Sequence, residues 1–327
     1  MSAPLAGQVA VVAGATRGAG RGIARALGEA GAIVYCTGRS VRGNPSPYKR
    51  PETIDDTAEM IAAAGGTAIP VRVDHTVESE VEALFARVIR DHSRLDVLVN
   101  SIAGEEPLGK QWGSFWEANL KDAEDILRQM LLSHIITARH AAPLMIDRRR
   151  GLIVEVTESD ILMAGGNPMT QSAKLSVKGM ALNMAAELMP HGVAAVAVTP
   201  GFLRSETMLE HFGVTEANWR DGGKKDKNFL ESESPLFVGR AVAALAADER
   251  VMARTGMLLS SWELAREYGF TDTDGRRPDW GALQIDCSEL PPFLLAIMRD
   301  GARMQLEWMK RVSQKTEHFL SQLGPES

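Results

Sequence analysis

Tyrosine is nearly missing from this chain of 327 residues, which carries only Tyr35, Tyr48 and Tyr268. Any chemistry that needs a phenol as its acid has three places to find one. Cysteine is scarcer still, with Cys36 and Cys287 alone. Cys36 lies in an apolar, strand-like run, which points to a buried thiol and not to a disulfide framework. No apolar stretch approaches the roughly 18 residues that suggest a membrane span. The opening MSAPLAGQVAVVAGA has no basic region ahead of its short apolar run, so no secretory signal is read and a cytoplasmic location is expected. Positive charge is not in excess either: 36 basic residues stand against 42 acidic ones, net −6. That balance supplies no broad field for nucleic acid or an anionic membrane, and neither is expected as a partner.

What the chain does have is rhythm. Short runs rich in Val, Ile and Ala, at Val9–Ala13, Ala32–Cys36, Thr67–Val73, Val97–Asn100, Leu152–Val156, Ala194–Thr199 and Gly256–Leu259, alternate with helix-period segments at 18–30, 53–64, 78–92, 122–148, 170–190 and 235–247. Strands without polar alternation imply burial on both faces. The alternation implies an α/β, Rossmann-type, doubly wound parallel sheet with its ligand at the carboxyl ends of the strands. Residues 1–280 are expected to form this domain. Residues 40–52 read as a polar Pro/Gly loop. Residues 281–327 form a C-terminal extension whose apolar residues, among them Phe293, Ile297, Trp308 and Phe319, recur at helical spacing, suited to packing on the body or a partner subunit.

The run AGATRGAG sets Gly14, Gly18 and Gly20 between the first strand and the first helix, with Thr16 and Arg17 inside the turn. Glycines there let backbone N–H groups and a helix N-terminus face a pyrophosphate. The end of the second strand selects the cofactor. NAD sites place an acid there for the ribose hydroxyls, whereas the 2′-phosphate of NADP needs positive charge. The residues are Tyr35-Cys36-Thr37-Gly38-Arg39-Ser40, with no acid; Arg39 and Arg17 offer two guanidinium forks for one phosphate, so NADP(H) is expected.

These residues resemble the short-chain dehydrogenase/reductase family. Gly14, Gly18 and Gly20 match its glycine loop, and Val73-Asp74 its adenine side. Leu98-Val99-Asn100 followed by Ala103-Gly104 is similar to its segment after the fourth strand, with one residue extra. Thr199-Pro200-Gly201 followed by Ser205 is similar to the stretch bordering nicotinamide. The start GQVAVVAGATRGAGRGIA and the late segment SSWELAREYGFTDTDGRRPDW resemble the dehydrogenase/reductase member 1-like branch. The resemblance implies Gly14, Thr16, Arg17, Gly18, Gly20, Arg39, Asp74, Asn100, Lys174, Pro200, Gly201 and Ser205 as cofactor-binding residues, a small-molecule substrate, and a homodimer or homotetramer.

The family's chemistry uses Asn, Ser, Tyr and Lys, and here the pattern breaks. Lys174 in TQSAKLSVKGM aligns with the lysine, but the tyrosine position four residues earlier is Thr170, the serine position is Glu158 and the asparagine position is Met130. A one-residue slip brings Ser159 to the serine position; no slip restores the tyrosine. A Thr hydroxyl is a far weaker acid than phenol, and removal of a positioned general acid costs roughly 10²–10⁴ in rate. Glu158, at the end of the fifth strand, is the candidate replacement acid or base, or else an ion partner of Lys174. His134, one helical turn after Met130, is a second candidate, with packing as its other reading. Asp160 lies nearby. The segment 202–234 stands where the family keeps its substrate lid, and with Trp112, Phe115 and Trp116 it suggests an apolar ligand. Three readings follow: an NADP(H)-dependent oxidoreductase with an altered proton donor acting on a carbonyl, imine or activated alkene; a non-redox cyclase, isomerase or lyase; and a non-catalytic NADP(H)-binding protein. No metal is expected.

Overall fold

The computed structural model describes residues 3–45, 50–103, 114–158 and 167–282, with residues 300, 303 and 307 beyond them. The chain divides into one compact unit, residues 1–160 with 167–283, and a second, residues 161–166 with 284–327. Most of the C-terminal extension, with Ser159, Asp160, Gly104, Trp112, Tyr48 and Cys287, therefore lies outside the described residues.

The apolar runs form strands β1 (Val9–Ala13), β2 (Ile33–Gly38), β3 (Thr67–Arg72), β4 (Val97–Asn100), β5 (Gly151–Val156), β6 (Val193–Thr199) and β7 (Leu258–Ser260). All pair in parallel, in the order β3-β2-β1-β4-β5-β6-β7. The order reverses between β1 and β4, which opens a crevice at the carboxyl ends of those two strands. Residues of β1, β4, β5 and β6 are almost wholly buried, because helices cover both faces. The edge strand β3 departs from the expected two-sided burial: its residues are half-buried or exposed. Pro70, which has no N–H to donate, is tolerated at that edge.

The helices are α1 (Gly18–Glu29), α2 (Ile54–Ala63), α3 (Glu78–His92), α4 (Leu120–Leu127), α5 (Ser133–Ile146), α6 (Pro168–Leu188), α7 (Glu206–Phe212), α8 (Pro235–Ala247) and α9 (Ser261–Tyr268). Ile23 and Leu27 of α1, Ile61 of α2 and Val238 and Leu245 of α8 fill one face of the sheet. Leu84 and Phe85 of α3, Met145 of α5 and Leu188 of α6 fill the other. Local chemistry sets the helix starts. Thr53 and Asp56 form a reciprocal capping box on α2, and Asn167 caps α6 with Pro168 in its first turn. The single helix expected over 122–148 is divided, because Arg128–Leu132 form one π-helical turn between α4 and α5. The hydroxyl of Ser133 donates to the Gln129 carbonyl there, and such back-bonding accompanies helix distortion. Two helices were not foreseen: α7 inside the lid segment, and α9 after β7. Among the described residues no helix is long and apolar enough to cross a membrane.

Candidate functional site

The glycine loop sits over the reversal point, and its backbone explains its composition. Gly14 and Gly18 adopt φ of 85° and 55°, values that L side chains rarely take. A Cβ on Gly14 would lie 2.3 Å from the Ser101 carbonyl oxygen, and one on Gly20 would lie 2.1 Å from that of Gly14. The loop is thus packed to the exclusion of side chains against the segment after β4. Gly38 explains the missing acid at the end of β2: any Cβ there would stand 2.7 Å from Thr16 Oγ1, whose residue is buried. An acid at position 38 would have to displace Thr16.

Arg17 is the N-cap residue of α1 in extended conformation, and its side chain makes no capping bond. Arg39 donates to Gln129 Oε1 at 3.0 Å and lies 4.0 Å from Asp74 Oδ2. Asp74 accepts from both the backbone and the hydroxyl of Thr76. Burial alone would raise its pKa, but those hydrogen bonds, with Arg39 and His75, hold it below the ordinary range. The N–H of Gly18, in the first turn of α1, donates to Glu206 Oε2 at 2.8 Å. A carboxylate on that N–H demonstrates that the α1 N-terminus accepts an anion, so the loop fits a dinucleotide phosphate on geometry and on charge.

Asn100, at the end of β4, is fully buried, and its Nδ2 donates to Glu155 Oε1 at 2.8 Å and to the His134 carbonyl at 3.3 Å. Glu155 lies opposite it on β5, and its other oxygen is 2.6 Å from His134 Nδ1. His134 Nε2 faces the Ile102 carbonyl at 3.0 Å. Both ring nitrogens therefore meet acceptors, which only the imidazolium satisfies in full. Burial, the largest influence, works against the charge. Attraction and hydrogen bonding from Glu155, with the Ile102 carbonyl, outweigh it and hold the His134 pKa above its ordinary value. Met130 packs instead with Ile126 and Ala173, so the two residues separated by one expected helical turn serve different neighbourhoods. Glu155 was missed in the sequence, although a charge inside the apolar run LIVEV is a signal of a buried partner.

Thr170 is buried in the first turn of α6, where its N–H is capped by Asn167. Lys174 follows one turn later, and its Nζ hydrogen-bonds Glu158 Oε2. The lysine side chain is largely covered, whereas that of Glu158 is 66% exposed. The Lys174 carbonyl accepts from Thr157, which ties α6 to the end of β5.

After β6, Pro200 accepts from Thr199, Ser205 caps α7, and the N–H of Gly201 donates to Glu233 Oε2 at 2.9 Å. Glu233 Oε2 also accepts from Ser261 at 2.6 Å, while its Oε1 is buried without a partner among the described residues. Burial first, then the neighbouring Asp272 charge, push this carboxyl up to about 8 against its hydrogen bonds and Arg204. The lid aromatics Phe212, Trp219 and Phe229 are buried together, with the first and last stacked at 4.0 Å, so they form the lid's own core. Phe115 and Trp116 are exposed. No group of three or more metal-ligating side chains occurs among the described residues.

The short chain dehydrogenase family profile matches residues 8–213. Dehydrogenase/reductase SDR family member 1 of Mus musculus is 39% identical over 281 residues, covering 84% of this chain and 86% of that protein. The protein of the same name from Homo sapiens is 37% identical over 280 residues, with the same coverage. Among solved structures, a hydroxysteroid dehydrogenase from Escherichia coli shares the fold with a TM-score of 0.62 at 22% identity, over 78% of this chain and 95% of that one. The glycine loop at the sheet's reversal point and the unbroken match across it make the chain a member of the short-chain dehydrogenase/reductase family of oxidoreductases, in the branch of dehydrogenase/reductase member 1.

Proposed function

We propose that the chain is an NADP(H)-dependent oxidoreductase that reduces a carbonyl, imine or activated alkene of a small, apolar molecule without a tyrosine acid. The observation that carries this reading is the glycine loop, where a Cβ on Gly14 or Gly20 would meet backbone, together with Arg39 following a strand end where a Cβ on Gly38 would meet Thr16. The bound cofactor supplies a hydride. The chain's own residues bind and orient it: Gly14, Thr16, Gly18 and Gly20 by backbone approach, Arg17 and Arg39 at the 2′-phosphate, Asp74 at the adenine side, and Asn100, Pro200, Gly201 and Ser205 along the nicotinamide half. Lys174 holds the ribose hydroxyls.

Proton delivery falls to the Lys174–Glu158 pair at the mouth of the site. The salt bridge places a protonated amine and a carboxylate within one hydrogen bond; the ammonium gives the proton that Thr170 cannot supply, and Glu158 orients it and passes a replacement proton from solvent to the amine. Ser159, next to Glu158 in the sequence, is assigned to orient a substrate oxygen. His134 is assigned a holding role, because both its nitrogens are engaged and the residue is buried. The test is NADPH oxidation against a panel of carbonyl compounds, with NADH in parallel. Turnover with NADPH preferred supports the reading; tight NADPH binding with no turnover on any carbonyl, imine or enone would refute the redox step.

A further inference from the structure

Glu206, the first residue of α7 in the lid segment, reaches 188 residues back along the chain to the glycine loop. Its Oε2 accepts from the Gly18 N–H at 2.8 Å, and its Oε1 lies 3.1 Å from Arg21 Nη1. Helix N-termini are ordinarily capped by Ser, Thr, Asp or Asn at the preceding position. In α1 that position is Arg17, which offers no acceptor, and the cap is borrowed from the lid. The result is that a carboxylate stands on the N–H group suited to a pyrophosphate. One turn further along α7, Glu210 pairs with Arg50 at 2.8 Å. The lid helix is thus fastened by two acids to the side of the molecule where the dinucleotide phosphates belong. Arg21 also donates to Thr57 and leaves Nη2 buried without a partner among the described residues, so the guanidinium has donor capacity beyond Glu206.

We propose that Glu206 is an internal anion that competes with the dinucleotide's phosphates for the N-terminus of α1, so that the lid helix stays fastened to the glycine loop until the cofactor displaces it. The inference rests on the cofactor reading given above. Two anions cannot share the Gly18 N–H, and a phosphate beside an undisplaced carboxylate meets a like charge at short range. Displacement releases Arg21 to the incoming phosphate and frees α7 at its first turn, which links cofactor entry to the position of the lid. A residue that merely holds the fold would weaken binding when altered. This one should strengthen it.

The experiment is a titration of wild type and Glu206→Gln with NADPH, followed by nucleotide fluorescence. Glutamine keeps an acceptor for Gly18 N–H and removes the charge, so the fold is retained. The expected result is a Kd roughly tenfold lower for the variant. That gain should shrink as salt is raised from about 0.05 to 0.5 M, since screening weakens the repulsion removed. Glu29→Gln, at the far end of α1, removes an equal charge and should match wild type. Hydrogen exchange supplies the second measurement, with NADPH expected to speed exchange in the first turn of α7 of the wild type. Wild-type binding with no gain in Glu206→Gln, or no change in α7 exchange, overturns the competition and leaves the cofactor reading standing. Absence of binding by both proteins to NADPH and NADH overturns both.

Discussion

Replacing Glu155 by Gln isolates the charge of the buried Asn100–Glu155–His134 group while keeping its shape. In the wild type His134 carries a proton between Glu155 and the Ile102 carbonyl. In the variant the amide nitrogen can donate to His134 Nδ1, and a neutral imidazole can still donate from Nε2 to Ile102. The Asn100 Nδ2 bond survives on the amide oxygen. Every hydrogen bond then has a partner without the charge, so the variant's deficit is chiefly the loss of one bound proton from the native state. His75, buried nearby with its pKa pushed down to about 3 by burial and by His134, stays neutral in both proteins.

The pH dependence follows in sign. Below the unfolded-state value of about 6.5, the unfolded variant binds a proton that its native state lacks, so its stability rises with pH by about 1.4 kcal/mol per unit. The wild type, with His134 raised, is flat there and loses stability only as pH climbs from about 6.5 through the raised value. The difference between the two proteins therefore narrows steadily as pH rises. It should be about 2 kcal/mol greater at pH 5 than at pH 6.5. Urea unfolding at half-unit pH steps measures it, with an unchanged slope against urea as the check that the denatured state is the same. Glu155→Leu, which strands a buried imidazole and the Asn100 amide, should cost about 3–5 kcal/mol. A deficit for Glu155→Gln that is the same at pH 5 and pH 7.5 would refute the charged-imidazole reasoning.

Glu233 gives a second titration of the same sign, with the native group held neutral instead of charged. Its carboxyl, held up to about 8, keeps its proton in the native state after the unfolded chain has lost it, so stability falls as pH rises from about 4.5 to 8. Glu233→Gln should flatten that decline in thermal unfolding scans, and an unaltered decline would place its cause elsewhere. Arg39→Asp should lower NADPH affinity by roughly 10- to 100-fold, the value of a charge-assisted bond, while NADH gains; equal loss of both nucleotides would remove Arg39 from phosphate recognition. Thr170→Tyr restores a phenol one turn before Lys174 and should raise carbonyl reduction by up to about 10²-fold. Glu158→Gln should abolish most of the native activity if the carboxylate moves the proton, and unchanged turnover would leave it only the salt bridge.

The parallel sheet was legible because buried strands and amphipathic helices write different periods into the sequence, and the strand bounds agree to within two residues at every end. The π-helical turn was not legible. Nothing in RQMLL forbids an ordinary helix, and the Ser133 hydroxyl bond to the Gln129 carbonyl that accompanies the distortion has no pattern of its own. The cofactor loop could be read because glycine spacing reports backbone geometry directly. The reason for Gly38 could not, since it lies in Thr16, twenty-two positions away. Charges showed the same divide. Lys174 was found by its place in a motif, and its pairing with Glu158 was open until both side chains were placed. Glu155 and Glu206 act through contacts 21 and 188 residues distant, and no local pattern encodes such partners.

The late segment that resembles the member 1 branch has a physical task that its sequence alone conceals. Asp272 is fully buried and accepts from the backbone and hydroxyl of Ser234 and from Arg204, itself fully buried. Arg276 reaches the carbonyls of Leu230 and Ser232, and Arg204, Arg220 and Arg276 all lie against the Trp219 ring. These contacts bind residues 270–277 to both ends of the lid and, through Glu233 and Ser261, to the Gly201 turn. They tie the base of the segment to the body of the domain. Its α7 end is fastened separately, by Glu206 on the glycine loop and Arg21 and by Glu210 on Arg50. Removing Asp272 should leave Arg204 with Glu216 alone as its ion partner and the Ser234 hydroxyl and N–H without their acceptor, at a cost of about 1–3 kcal/mol, whereas removing the Glu206 charge should tighten the nucleotide. Two acids with opposite consequences, Asp272 holding the lid from outside and Glu206 on it, distinguish a brace from a latch.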